Sequence, residues 1–154
     1  QGKNIDEIHE WAQKHKKEVQ HWFFTSDLTF FIKGGRVSKT AGFIGGVMNI
    51  CPLLNVDFEG KLIPRQKVRT KKKVMKTIVD RMEELATDGA DYSGKCYISQ
   101  SACMEDAQAV ADLVEKRFPK LDGKVEINPI GTTIGSHTGP GTVALFFWGK
   151  ERDN

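Results

Sequence analysis

A glycine-rich segment near the carboxyl terminus holds the residues best suited to binding a small anion. Residues 127–147 place one histidine, His137, among hydroxyl side chains and four glycines. The glycines are Gly131, Gly135, Gly139 and Gly141. Because glycine allows close approaches that a side chain would block, backbone N–H groups and the imidazole can converge on a carboxylate or phosphate. Ser136 and Thr138 flank His137 and favour such a site. The alternative is a histidine that hydrogen-bonds only within its own loop.

The motifs of nucleotide-binding proteins do not describe this segment. It lacks the Gly-Lys-Ser/Thr end of a phosphate loop. The apolar run at 142–148 predicts a strand, whereas a dinucleotide fingerprint requires a helix after the glycines. We therefore expect His137 to lie in a loop between two strands, a common place for binding residues.

Two arginines stand at the ends of predicted elements. Arg36 follows the pair Gly34 and Gly35, which should end a helix, so its guanidinium is well placed for a carboxylate or phosphate. The alternative, favoured when this motif is taken alone, is a surface arginine after an ordinary glycine cap. Arg69 ends a predicted strand, where binding loops gather.

A basic run surrounds Arg69. It consists of Lys67, Arg69, Lys71, Lys72, Lys73 and Lys76. Such a run indicates an anionic membrane surface, an acidic partner or a phosphate. For most of these lysines a solvated helix face is the commoner explanation.

The sequence offers no metal site and no recognisable catalytic group beside His137. Its three cysteines, Cys51, Cys96 and Cys103, lack metal-type spacing, and no Ser–His–Asp order with a nucleophile elbow is present. We therefore predict no cofactor, no metal and no enzymatic activity. An odd number of cysteines is typical of free thiols in a reducing compartment.

Length and composition restrict the class of protein. A chain of 154 residues suits one domain with a hydrophobic core. The net charge of +3 is too small to indicate nucleic acid by itself. No apolar run is long enough to span a bilayer, and residues 1–20 are polar and charged, unlike a signal peptide. We therefore expect a cytoplasmic protein.

Hydrophobic spacing predicts one amphipathic helix over residues 1–20, with Ile5, Ile8 and Val19 on its apolar face. A short strand at 22–25 follows. Next comes a brief helix to Lys33, which Ser26 or Asp27 can cap.

A further helix is predicted from Ser38 to about Met48. It contains three glycines, Gly42, Gly45 and Gly46, each costing roughly 1 kcal/mol against alanine. A helix with that cost usually packs closely against a backbone or a ligand. Phe43 in this helix belongs to an aromatic set that fits a core or an apolar tunnel equally well. The other members are Trp22, Phe23, Phe24, Phe30 and Phe31.

The rest of the pattern predicts an α+β fold, a two-layer sandwich in which helices cover a mixed sheet. Residues 50–56 and 61–68 form a hairpin, with Pro52 on an edge strand or at a strand start. Thr70 caps a long helix. Residues 95–130 form a strand–helix–strand unit, whose strands should be parallel.

Three segments of the chain resemble the DegV family. They are residues 24–39 (FTSDLTFFIKGGRVSK), 52–70 and 134–141 (IGSHTGPG), in the family's order. The match is to the carboxyl-terminal half of DegV proteins. It implies that residues 21–154 form a DegV C-terminal-like lipid-binding domain. Residues 1–20 would be the connecting helix from an N-terminal domain that has no counterpart here.

The resemblance implies a fatty-acid-binding protein. Some members of the family are the carrier subunit that presents a long-chain fatty acid to a bacterial fatty acid kinase. By this resemblance the residues that bind the head group are His137, Arg36, Ser136 and Thr138. Arg69 would lie near the head-group exit, where the kinase or a transient membrane surface is met. Phe43, Gly42, Gly45 and Gly46 would be the acyl-tunnel residues.

Two other functions stay open at this point. The chain could be an enzyme for a small carboxylated or phosphorylated metabolite, with His137 as acid or base. It could also be a basic module that uses residues 67–76 on nucleic acid or an acidic protein. We favour the carrier, without a nucleic-acid partner, because no second catalytic group has a recognisable spacing to His137. We expect the chain by itself to bind fatty acid weakly or not at all, since half the site is missing.

Overall fold

A mixed sheet of six strands organises the protein in a computed structural model, which describes residues 2–37 and 50–153. The strands are β1 Val19–Phe24, β2 Ile50–Val56, β3 Leu62–Arg69, β4 Tyr97–Ser101, β5 Glu126–Pro129 and β6 Thr142–Trp148. The helices are α1 Ile5–His15, α2 Thr29–Lys33, α3 Lys71–Leu85, α4 Met104–Arg117 and α5 Thr132–Thr138, with a 3-10 turn at Gly89–Asp91.

The order of the strands is β3-β2-β1-β6-β4-β5. Strands β4 and β5, joined through α4, are parallel, and all the other neighbours are antiparallel. The predicted α+β fold, the β2–β3 hairpin and the parallel crossover are confirmed.

The two faces of the sheet carry different sets of side chains. On β1, Trp22 and Phe24 belong to the main core, which α3 and α4 cover, whereas Phe23 belongs to a smaller cluster on the other face. Phe31 of α2 packs in that smaller cluster. Its ring stacks on Phe23, with ring centroids 5.7 Å apart.

Helix α3 is the main cover of the first face. The Thr70 hydroxyl accepts a hydrogen bond from the Lys73 N–H at 3.4 Å, which caps the helix as predicted. Helical spacing then places Val74, Ile78 and Met82 on one stripe, and all three are fully buried. Burial of each such side chain contributes about 1.5–3 kcal/mol, so this stripe fixes the helix on the sheet.

The first helix is shorter than the predicted range of 1–20. It ends at His15, and Val19 begins β1, where it pairs with Trp148 of β6. Pairing with a neighbouring strand therefore overrides the helical spacing of Val19. Ile5 is 76% exposed and no residue of α1 is buried, so the apolar stripe does not enter the core of the described residues.

Pro52 lies in an inner strand rather than at an edge of the sheet. It is the third residue of β2, which has β3 on one side and β1 on the other. However, β1 pairs with β2 only at Leu53, Leu54 and Asn55. Pro52 therefore has a partner strand on one side only, and its missing N–H costs no hydrogen bond to β1.

Helix α2 ends at the predicted glycine pair, but its N-cap residue is Leu28, which makes no side-chain capping bond, rather than Ser26 or Asp27. Asp27 Oδ1 accepts from the Thr29 N–H at 2.8 Å, and Gly35 adopts a left-handed φ of 69° after the last turn. The predicted helix from Ser38 to Met48 lies outside the described residues. None of the described helices is long and apolar enough to cross a membrane.

The glycine-rich segment was predicted to be a loop, and this prediction is wrong: the segment contains the short helix α5. Gly131 precedes the helix in an extended conformation, and Gly139, with φ of 70°, ends it. Glycine adopts a positive φ without the steric cost that a side chain would bring, which lets the chain leave the helix there. His137 therefore lies in the last turn of a helix.

Candidate functional site

The second face of the sheet carries an apolar trough with a cavity volume of about 290 Å³. Its floor includes His21 and Phe23 from β1 and Ala144 and Phe146 from β6. These residues alternate with core residues along each strand, because successive side chains leave a strand on opposite faces. Val56 and Leu62 line the trough from the hairpin, and Ile130, Ile134 and Thr138 line it from α5 and the segment before it.

One end of the trough is polar. There the Thr142 hydroxyl donates to the Thr138 carbonyl oxygen at 3.1 Å. Thr138 is only 9% exposed. Its hydroxyl is buried and has no hydrogen-bond partner among the described residues. Burying a hydroxyl without a partner is unfavourable, so this oxygen is suited to a polar group of a ligand.

His137 lies next to Thr138 but outside the lining of the trough. Its half-buried ring packs on the end of α2, where a β-carbon built on Gly34 would come 2.5 Å from His137 Nδ1. A side chain at position 34 would therefore displace the imidazole. Gly139, at the end of α5, lies at the same contact between α2 and α5, and a β-carbon there would collide with the ring of Phe30.

Arg36 follows the glycine pair at this contact between the ends of α2 and α5. Its Nη1 donates to the Gly34 carbonyl oxygen at 2.7 Å, and the side chain is exposed. The structure thus brings together the Gly34–Arg36 turn and His137, two motifs that are about 100 residues apart in the chain. Both are held beside the polar end of the trough through Thr138.

Two other predicted residues take no part in the trough. Ser136 is exposed, and its hydroxyl donates to the Thr133 carbonyl oxygen at 2.8 Å. Arg69 is exposed at the end of β3, opposite Ile50. Three strand spacings separate β3 from β6, about 14 Å, so Arg69 and Thr138 do not share one small anion. Phe43, Gly42, Gly45 and Gly46 lie outside the described residues.

The far end of the trough is aromatic and uncharged at neutral pH. His21 and Phe146 pair edge to face there, with ring centroids 5.3 Å apart. Burial, together with the smaller effect of the positive charge of Arg152, lowers the pKa of His21 to about 4. The sequence interpretation missed both residues. The signal was the run of apolar residues through β1 and β6, which indicates strands covered on both faces.

This arrangement suits an amphiphile with one polar end. An apolar tail would lie over Phe23, Ala144 and Phe146, and a polar head would reach the Thr138 hydroxyl. Within residues 2–37 and 50–153, no three His, Cys, Asp or Glu side chains are grouped so that they could hold a metal ion.

Comparison with known proteins places the chain in a family. The family model described as "Uncharacterised protein, DegV family" matches residues 1–150. The chain belongs to the DegV family. Among curated relatives, a DegV domain-containing protein of Clostridium perfringens is 36% identical over 152 residues, covering 99% of this chain and 51% of the relative. The chain thus spans about half the length of the curated relatives it matches.

Solved DegV structures share this fold. A fatty acid binding DegV family protein from Streptococcus agalactiae has a TM-score of 0.80 and 30% identity, covering 97% of this chain and 51% of that one. The fatty acid kinase B3 protein of Streptococcus pneumoniae, loaded with linoleic acid, has a TM-score of 0.82 and 21% identity, covering 97% and 51%. The second likeness concerns the fold alone.

Proposed function

We propose that this DegV chain binds a long-chain fatty acid and forms one wall of the acyl site. The observation that carries the proposal is the unpartnered Thr138 hydroxyl at the polar end of an apolar trough. The fatty acid binding relative from Streptococcus agalactiae supports it. The fatty acid would lie with its carboxylate at Thr138 and its tail towards His21 and Phe146.

The energetics of such a ligand divide between its two ends. Burial of the tail contributes about 0.8 kcal/mol per CH₂, so the tail dominates affinity. The carboxylate must keep hydrogen bonds or a positive charge, because burying it unpaired is expensive. Thr138 would supply a hydroxyl, and His137 and Arg36 would add further donors. The head therefore fixes the direction in which the ligand lies.

The second wall of the site would come from residues outside these 154. Among the described residues the trough is only partly enclosed, and the relatives are about twice as long as this chain. An N-terminal domain like theirs would close the trough over the tail. We expect the 154-residue chain by itself to bind weakly, because only half of the tail's surface is then buried.

The finer proposal is a non-catalytic cytoplasmic carrier that presents the fatty acid to a kinase subunit. A DegV fold serves as the B3 protein of a fatty acid kinase in Streptococcus pneumoniae. Arg69, exposed at the sheet end that carries Thr138, would meet the kinase or a membrane surface during transfer. Incubation of the two-domain protein with a kinase subunit, ATP and fatty acid should give an acyl phosphate, and the carrier without the kinase should give none.

The binding proposal can be tested on the chain itself by NMR, which detects weak complexes. Oleic acid should shift the backbone signals of Phe23, Ala144, Phe146 and Thr138. Oleyl alcohol has the same tail and should bind less tightly, because it lacks the carboxylate. Thr138→Val should reduce that difference between acid and alcohol.

The same titration separates the proposal from its rivals. Signal changes confined to the α3 and α4 side of the sheet would show that the trough is not the lipid site. Equal binding of acid and alcohol would show that the polar end does not select a carboxylate. Turnover of a carboxylated metabolite by the purified chain, abolished in His137→Ala, would favour the enzyme instead.

A further inference from the structure

A second apolar groove lies on the outer side of α3 and α4, across the sheet from the trough. Met75 of α3 and Ala109 and Leu113 of α4 give it an apolar floor. Leu113 is 37% exposed, so part of this floor is open to a partner. The ion pair of Lys71 with Asp106 (2.8 Å) holds the two helices together near their first turns.

The rim of the groove is basic. It is formed by Lys72, Lys73, Lys76 and Lys116, which are all exposed. None of these four lysines makes an ion pair within the described part of the chain. Of the residues that the structure describes, one acidic side chain lines the groove: Asp112, which accepts a hydrogen bond from Gln108 at 2.8 Å.

Two of these lysines lie in the first turn of α3, where positive charge is unusual. The first turn of α3 contains no acidic residue, although the first turns of α1 and α4 each contain two. Cations near a helix N-terminus are unfavourable, because the helix dipole is positive there. Lys72 and Lys73, in the first turn, therefore do not stabilise α3 through its dipole.

We propose that this groove docks an acidic amphipathic helix of a partner protein. The apolar side of that helix would lie on Met75, Ala109 and Leu113, as in other complexes in which a helix occupies a groove between helices. Its Asp and Glu side chains would pair with the four lysines of the rim. A helix with acidic residues on both sides of an apolar stripe is complementary to a groove with lysines on both sides of an apolar floor.

The lining of the groove favours a protein helix over a membrane or a nucleic acid. Surfaces that lie on a bilayer usually insert Trp, Phe or Leu from a protruding face, whereas here the apolar residues form the floor of a concave groove. Single-stranded nucleic acid is usually held by aromatic stacking, and no aromatic side chain among the described residues lines this groove. An acidic helix fits both the shape and the charge.

The inference does not depend on the proposed lipid function. The groove and the trough lie on opposite faces of the sheet, so each can fail without the other. They are related by position, since α3 begins directly after β3, at the same end of the sheet as Thr142 and Thr138. A partner helix in the groove would therefore sit near the polar end of the trough.

A designed peptide tests the proposal directly. The probe is a helix of about 18 residues, five turns, with leucines at i, i+3, i+4 and i+7 and glutamates on its flanks. NMR titration of the 154-residue chain should move signals at residues 70–76 and 109–116 and leave those of Phe23 and Ala144 unchanged. Fluorescence anisotropy gives the Kd, which should increase with salt.

The variants are chosen so that loss of binding is not loss of folding. Lys72→Glu with Lys76→Glu should weaken binding by about tenfold or more, while placing an anion near the N-terminus of α3, which is favourable for the helix. Leu113→Glu should have a similar effect on binding. Leu113→Met, a swap of similar volume, and Lys14→Glu on α1 should both bind as the unchanged chain does.

Several results would overturn the proposal. One is equal binding by the doubly substituted chain and the unchanged chain. Another is equal binding of a peptide with lysines in place of the glutamates, because the charge would then be irrelevant. Binding to phosphatidylglycerol vesicles that depends on Lys72 and Lys76, without any binding of the acidic peptide, would assign the surface to a membrane. The same pattern with a single-stranded RNA would assign it to nucleic acid.

Discussion

The imidazole of His137 packs against Gly34, so closely that a β-carbon on Gly34 would come 2.5 Å from Nδ1. The same β-carbon would lie 3.1 Å from the Phe30 carbonyl oxygen. The carbonyl oxygen of Gly34 accepts the hydrogen bond from Arg36. One glycine therefore positions a histidine and an arginine from two distant motifs beside the polar end of the trough.

Substitution of Gly34 should disturb His137 first. We expect Gly34→Ala to lower the free energy of unfolding by about 1–3 kcal/mol, because the new methyl group has no space. In a His137→Ala background the same substitution should cost at least about 0.5 kcal/mol less, since the clashing ring is gone. Urea denaturation of the four proteins in this double-mutant cycle gives the coupling.

Gly135→Ala is the matched control for that cycle. Gly135 lies inside α5, and within the described part of the chain its β-carbon would meet only the Ile130 side chain, at an ordinary 3.9 Å. Alanine is the better helix former, so we expect a neutral effect or a gain of up to about 1 kcal/mol. If Gly34→Ala were equally harmless, the packing of His137 on Gly34 would not constrain position 34.

Thr138 should show a trade-off between stability and ligand binding. Replacing it with valine keeps the shape and removes the buried hydroxyl that has no partner among the described residues. We therefore expect Thr138→Val to raise the free energy of unfolding by about 1 kcal/mol. The same variant should bind fatty acid less tightly, as expected for a polar group kept for function.

Thr142→Val is the contrasting substitution four residues away. The Thr142 hydroxyl donates to the Thr138 carbonyl oxygen, so its removal leaves a buried acceptor without that donor. We expect a loss of about 1–3 kcal/mol in the free energy of unfolding. Urea curves for both variants check the pair, and a destabilised Thr138→Val would mean that its hydroxyl is paired after all.

Much of the fold could be predicted because its signals are local. The turn at 57–60 follows β2 directly, and the spacing of apolar residues in α3 repeats over four turns. The end of α1 could not be predicted, because Val19 keeps helical spacing until pairing with Trp148 places it in a strand. Helix α5 was also missed, since its one glycine and three threonines are poor helix formers that only the fold holds in place.

The residues of the candidate site differ in how far the sequence could indicate them. Thr138 was among the predicted head-group residues because it belongs to a short motif; it lines the trough, and its role in binding stays a prediction. His21 and Phe146 were missed, because both lie in strands that are apolar on the two faces, where periodicity does not tell one face from the other. The partner of His137 was missed as well, since Gly34 contributes space rather than a functional group.

Acid should weaken the fold through His21. Its pKa falls from the usual 6.5 to about 4 in the native state, so between these values the unfolded chain binds more protons. This contribution to stability is therefore fully present above pH 6.5 and is lost as the pH falls towards 4. Between about pH 7 and pH 5 we expect a loss of about 2 kcal/mol from this residue.

Comparison with His21→Gln isolates this contribution from those of the other titrating groups. Glutamine does not titrate, so the variant should lose about 2 kcal/mol less than the unchanged chain over the same interval. Urea denaturation at both pH values, with circular dichroism as the signal, measures the difference. Equal losses in the two proteins would mean that His21 titrates normally in the folded state.

Ala144 should control whether the trough can hold an acyl chain. It pairs with Phe23 of β1 on one side and with Ser99 of β4 on the other, in the middle of the trough floor. A leucine there would occupy the path of the tail, so we expect Ala144→Leu to weaken oleic acid binding by about tenfold, the equivalent of 1.4 kcal/mol. Ala144 is only partly buried and lines the cavity, into which the longer side chain can extend, so the free energy of unfolding should change by less than about 1 kcal/mol. Ala144→Ser keeps the space and should bind like the unchanged chain in the NMR titration. Unweakened binding by Ala144→Leu would mean that the tail takes another path.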